Sequence, residues 1–177
     1  CMGRSGTAST ALKHQEVLGA RAASLLAEIV DTPGPALLIL TGADKAINRS
    51  RERAFTKMAG ESGFSPVTTV VAGPGDFSPE HGLNASFLKE ILERNPSATG
   101  LVSFAGAPPA SRRSPGSIPD LPGGVIAIFP NLATVPPLVR DGRVDRVIGP
   151  AATVPDPPPD ESASDAEWFD AYYKVMT

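Results

Sequence analysis

Five short apolar runs, at 36–41, 67–72, 101–105, 125–129 and 144–148, recur along the chain, and a longer amphipathic or polar stretch lies between each and the next. The run Ala36-Leu-Leu-Ile-Leu-Thr41 has no polar position before its last residue. A strand with water on one face alternates apolar and polar residues, whereas a strand covered on both faces has no need to. Val67-Thr-Thr-Val-Val-Ala72 is built almost wholly of β-branched residues, which suit a pleated surface. Buried strands alternating with helices predict an α/β fold: a three-layer αβα sandwich around a five-stranded, mainly parallel sheet. Right-handed crossovers make a flavodoxin-like strand order the natural one.

The helices are read from their period. Val17, Leu18, Ala22, Leu25, Leu26, Ile29 and Val30 form one stripe, predicting a helix over 14–31 that Asp31-Thr-Pro-Gly-Pro35 ends. A second helix is expected over 45–62, with Ile47, Arg51, Ala54, Phe55, Met58 and Ala59 on one side and Gly63 closing it. A third is expected over 84–95 and a short one over 132–140, while 73–82 reads as a loop. Residues 154–160 are a stiff Pro-rich linker. Ser164-Asp-Ala-Glu167 is a capping-box pattern, opening a tail helix expected to carry Trp168, Phe169, Tyr172, Tyr173 and Met176. The expected organisation is a lobe over 1–154, followed by a linker and tail helix over 155–177 that dock on the lobe or on a partner.

A length of 177 residues suits one well-packed domain and is short for two. The net charge of −3, with Lys and Arg dispersed, offers no basic stripe for nucleic acid. No apolar run is long enough to span a bilayer. A single cysteine leaves no internal disulfide and no cysteine-based metal cluster. Standing first, Cys1 matches the acylated residue of a mature bacterial lipoprotein; the favoured alternative is that it only marks where this stretch of sequence starts.

Motifs for catalysis are missing. There is no phosphate-binding loop ending in Gly-Lys-Ser/Thr, no dinucleotide fingerprint after a strand and no nucleophile elbow. His14 and His81 are far apart, have no ligand or triad partner at useful spacing, and read as surface histidines. No enzyme activity, cofactor or metal is therefore expected. The place for chemistry is the carboxyl rim of the sheet, where open parallel sheets hold their ligands. Several residues at those strand ends are small, and the second helix aims its first amides at the same edge.

From Gly19 to about Thr153 the chain resembles the C-terminal lobe shared by type I periplasmic sugar-binding proteins and lac-repressor-like ligand domains. The residues that carry this are Gly19-Ala-Arg-Ala-Ala23, Leu37-Leu-Ile-Leu-Thr-Gly42, Arg51-Glu-Arg-Ala-Phe55, Leu88 to Pro96 with Gly100-Leu-Val-Ser-Phe104, and Leu138-Val-Arg-Asp-Gly-Arg-Val-Asp145. The resemblance implies a periplasmic-binding-protein-like fold. It also implies binding of a small polar solute, a sugar in the type case, by a transport receptor or a regulator's sensor domain. Arg51 matches the arginine of that family's Arg-x-x-Gly-Phe helix and is implied as a ligand contact; an intra-domain role is the alternative. Asp44 and Asn48 stand beside it, with helix capping as the alternative for Asp44. Gly106, Phe129 and Asn131 complete the candidate set from the strand ends.

There are departures. Gly106-Ala107 stands where the family carries Asn-Asp, Phe129-Pro130 where it carries Asp, and Gly149-Pro150 near its Gln. A buried sugar hydroxyl left unpaired costs about 1–3 kcal/mol, so a typical pyranose is expected to bind poorly. Ligands in the family sit between two lobes, so the resemblance also implies an N-terminal lobe and, for a receptor, transporter subunits as partners. The compartment would be periplasmic or membrane-anchored for a receptor and cytoplasmic for a regulator. A lobe that has lost its solute site and serves as a protein-interaction module is the rival reading.

Overall fold

A computed structural model of the chain describes residues 3–42, 44–109, 121–128, 139–140, 144–153 and 155–176. The main elements are α1 (Gly3–Ile29), β1 (Ala36–Thr41), α2 (Lys45–Glu61), β2 (Val67–Ala72), β3 (Phe77–Ser78), β4 (Gly82–Leu83), α3 (Ala85–Arg94), β5 (Gly100–Ser103), β6 (Gly124–Ile128), β7 (Arg146–Pro150), α4 (Asp165–Tyr172) and β8 (Tyr173–Met176). The strand order β2-β1-β5-β6-β7 is the flavodoxin-like one, and every pair in it is parallel.

The sheet is covered on both faces, as the continuous apolar runs require. Leu38 and Leu40 of β1 face one core with Val17, Leu18, Leu25 and Leu26 of α1 and Phe55 and Ala59 of α2. Leu37 and Ile39, the alternate residues, face the other with Leu88, Ile91 and Leu92 of α3. The first core is tight where β5 and β6 begin. A β-carbon at Gly100 would lie 2.5 Å from Leu26 Cδ2, and one at Gly124 would lie 2.6 Å from Val30 Cγ2. Glycine at both positions lets α1 lie close against the sheet.

Several boundaries differ from the periodicity. α1 starts earlier than residue 14 and ends at Ile29. The 73–82 stretch, expected as a loop, contains β3 and pairs it antiparallel with β4. The expected tail helix stops at Tyr172, and Tyr173 and Met176 lie instead on β8, antiparallel to β7. The sheet is thus six-stranded rather than five-stranded. The physical cause is the edge of β7, whose unpaired amides and carbonyls β8 satisfies. The residues of β8 meet the two-residue period: Tyr173 and Val175 join the α1 core, Met176 the other, and Lys174 is exposed. The capping box at Ser164 forms in full, with Glu167 N–H donating to Ser164 Oγ at 3.2 Å and Ser164 N–H to Glu167 Oε2 at 2.7 Å. Trp168 and Phe169 are buried against the α1 core. Of the short helix expected over 132–140, only Val139 and Arg140 are among the described residues, and both are helical.

Candidate functional site

The carboxyl rim of the sheet is where α2 begins, directly after β1, and where Phe104 follows β5. β8 starts there too, since Tyr173 pairs with Pro150 at the far end of β7. The N-terminal half of α1 reaches the same edge, because Gln15 touches Arg51.

Arg51 is the centre of what gathers at this rim. Its Nε donates to Gln15 Oε1 at 2.6 Å, and its guanidinium carbon lies 4.4 Å from the centroid of the Phe104 ring. One edge and one face of the group are thereby fixed, and cation–π attraction adds to the packing. The backbone beneath it is equally constrained: a β-carbon at Gly19 would lie 2.5 Å from the Arg51 carbonyl oxygen, so α1 and α2 touch main chain to main chain. Burial lowers the pKa of Arg51, opposed by Tyr173 and Asp44. Among the described residues, Nη1 and Nη2 carry no hydrogen bond. The intra-domain role weighed for Arg51 is therefore filled by its Nε and by its contact with the Phe104 ring, and no described residue engages its terminal nitrogens.

Behind Arg51 lies a polar chain. Gln15 is 9% exposed, and its Nε2 is 3.4 Å from His14 Nδ1. The Tyr173 hydroxyl is 2.6 Å from that same nitrogen. The Gln15 amide nitrogen can only donate and the Tyr173 hydroxyl is able to, so the tautomer with Nδ1 as acceptor and the ring proton on Nε2 satisfies both contacts. The His14 ring stacks on Tyr172 at 4.7 Å between centroids. Burial, then the neighbouring Arg51 charge, lowers the pKa of His14 and favours the neutral ring. Burial likewise pushes the Tyr173 phenol well above its ordinary value, so it stays protonated and able to donate. His14 is thus not the surface histidine expected. It stands three and four residues before Val17 and Leu18, on the apolar stripe of α1, and the tail covers it. His81 is exposed, 3.9 Å from the exposed Glu80.

The other candidates lie differently. Asp44 takes the capping role, accepting from the amides of Ala46 at 2.9 Å and Ile47 at 3.1 Å. Asn48 donates through Nδ2 to the Gly42 carbonyl at 3.2 Å, steadying the turn out of β1. Gly106 has φ +91° and is buried against its own chain, with a β-carbon there meeting Gly82 Cα at 2.8 Å. Leu83 N–H donates to the Ala107 carbonyl at 3.0 Å, so the β3–β4 hairpin closes over the end of β5. Phe129 and Asn131 lie outside the described residues. Gln15, Phe104 and Tyr173, which meet Arg51 or His14, were not among the sequence candidates.

The fold is shared with solved sugar-binding proteins and a regulator. The chain is similar to the periplasmic ribose ABC transporter protein of Conexibacter woesei DSM 14684, at 15% identity and a TM-score of 0.56 over 76% of this chain and 45% of that one. It is similar to an ABC-transporter solute-binding protein of Burkholderia graminis C4D1M solved with D-arabinose, at 17% identity and a TM-score of 0.50 over 76% and 47%. It is also similar to a LacI-type transcriptional regulator of Bacteroides fragilis, at 16% identity and a TM-score of 0.52 over 78% and 47%. At these identities the likeness is one of fold, and the chain spans less than half the length of each. No protein-family model matches the chain, and neither does a curated protein.

Proposed function

We propose that this chain is a small-molecule-binding lobe, part of a transport receptor or of a regulator's sensor. Residues 1–154 form the lobe and 155–177 a strap across it. It binds rather than catalyses. Hinge closure with a second lobe would bring a small polar, sugar-like solute against its carboxyl rim. The observation that carries this reading is Arg51, whose Nε is tied to Gln15 and whose guanidinium carbon lies over the Phe104 ring while Nη1 and Nη2 carry no partner among the described residues. A cation so pre-organised loses little freedom when a ligand binds it. The solutes named for the neighbouring structures, ribose and D-arabinose, point to the class.

The test is calorimetric titration of the chain with pentoses, hexoses, polyols and sugar acids at millimolar concentration. Binding by at least one, lost in Arg51→Ala, is expected. Silence across the whole panel would sink the reading.

The interaction-module reading keeps one supporting observation: the end of β5 is closed by the β3–β4 hairpin, with Gly106 buried. The aromatic residues that would have served it, Trp168 and Phe169, are spent in the core instead.

A further inference from the structure

We infer that the solute selected at this rim carries a carboxylate, and that it is a sugar acid rather than a neutral sugar. The inference rests on the proposed binding role and concerns which member of the class the residues favour.

Arg51 is half-buried and permanently charged, and no described residue forms an ion pair with it. Among the described residues no carboxylate comes within ion-pairing range of it; the pairs present engage Lys13, Arg21, His81, Lys89 and Arg94. Asp44, the acid whose field reaches it, is occupied with the amides that open α2. The partners Arg51 does have are neutral: the Gln15 carboxamide and the Phe104 ring. Beyond Gln15 stand a neutral imidazole and a protonated phenol.

The geometry of what is left open matters as much as the charge. With Nε engaged, the edge remaining is the Nη1–Nη2 pair, two parallel donors at the spacing of the two oxygens of a carboxylate. A neutral sugar brings no charge to that edge, only hydroxyls. Its hydroxyls donate as well as accept, and Asn48 Oδ1, buried and without a partner among the described residues, stands three residues before Arg51 on α2 as an acceptor for one of them. A cation with an open bidentate edge, and an amide acceptor close by on the same helix, fit a ligand with one anionic group on a hydroxylated body.

Matched pairs test this on the chain itself: galactose against galacturonate, glucose against gluconate and xylose against xylonate, titrated at low and at high sodium chloride. The acid of at least one pair is expected to bind about tenfold tighter or better than its parent. That advantage should shrink with salt, vanish in Arg51→Gln and survive in part in Arg51→Lys. Neutral parents binding as well as their acids, with no salt dependence, would overturn the carboxylate inference and leave the binding role standing. Failure of every member of every pair would remove both.

Discussion

Exchanging glycine for alanine in α1 and in α2 should have opposite effects, because the two glycines face different things. At Gly19 the added carbon would sit 2.5 Å from the Arg51 carbonyl oxygen and 3.2 Å from that residue's Cα and carbonyl carbon. Alanine gains about 1 kcal/mol over glycine inside a helix. Overpacking costs about 1–3 kcal/mol, and because the obstacle here is main chain, which yields only if α2 moves away, the upper part of that range, about 2–3 kcal/mol, applies. The net expectation for Gly19→Ala is a loss of about 1–2 kcal/mol. In a chain of this size each kcal/mol is worth about 2–4 °C, so Tm should fall by about 2–8 °C. Gly60, exposed near the end of α2, has nothing within 4 Å of its added carbon. Gly60→Ala should gain about 0.5–1 kcal/mol and raise Tm by about 1–4 °C. Differential scanning calorimetry of both variants beside the parent decides it. A Gly19→Ala protein as stable as its parent would show that the helices do not meet at Arg51, and the rim would lose its rigid base.

Three further expectations follow from the same structure. Burial holds His14 below its ordinary pKa of 6.5, so the unfolded chain takes up that proton first; stability from neutral His14 is complete above about pH 7 and is lost as pH falls through about 6.5 towards the folded value. Urea midpoints at pH 7.5 and 5.5 should therefore differ less in His14→Gln than in the parent, and equal differences would refute the buried neutral ring. Trp168→Ala, at a side chain 2% exposed, should cost about 3–5 kcal/mol in urea unfolding, whereas a loss below about 1 kcal/mol would mean that α4 does not share the core. Asp44→Ala should cost about 1 kcal/mol by the same measurement, through the two amides it would leave uncapped; no change would deny the cap.

What the sequence showed of the fold was local. The unbroken apolar run of β1 reported burial on both faces, and the Ser164 and Asp44 caps were visible as side-chain type at the head of a helix. Tyr173 to Met176 escaped because aromatic and aliphatic residues there fit a helical stripe as well as a strand. What decides between them is the open edge of β7, which local pattern does not contain. The β3–β4 pair escaped because two residues a side are too few to show a period. At the rim, Arg51 and Asp44 were legible from position, but the groups that hold the arginine were not. Gln15 is 36 residues from it and Tyr173 is 159 from His14, distances across which no spacing rule reaches. His14 itself carried one readable hint, its place on the stripe that includes Val17 and Leu18.

The strap also sets an order of events. Leu18 and its neighbours on α1 share a core with Trp168, Phe169 and Tyr173. Ribosomes add about 5–20 residues each second, so that core waits about 8–30 s for its last aromatic members. For about the last 1–5 s of that interval, once β7 has been made, its outward edge has no neighbour to pair with. A nascent chain therefore passes through a stage with a sticky helix and a bare strand together, and both are shielded in one step when residues 165–176 emerge.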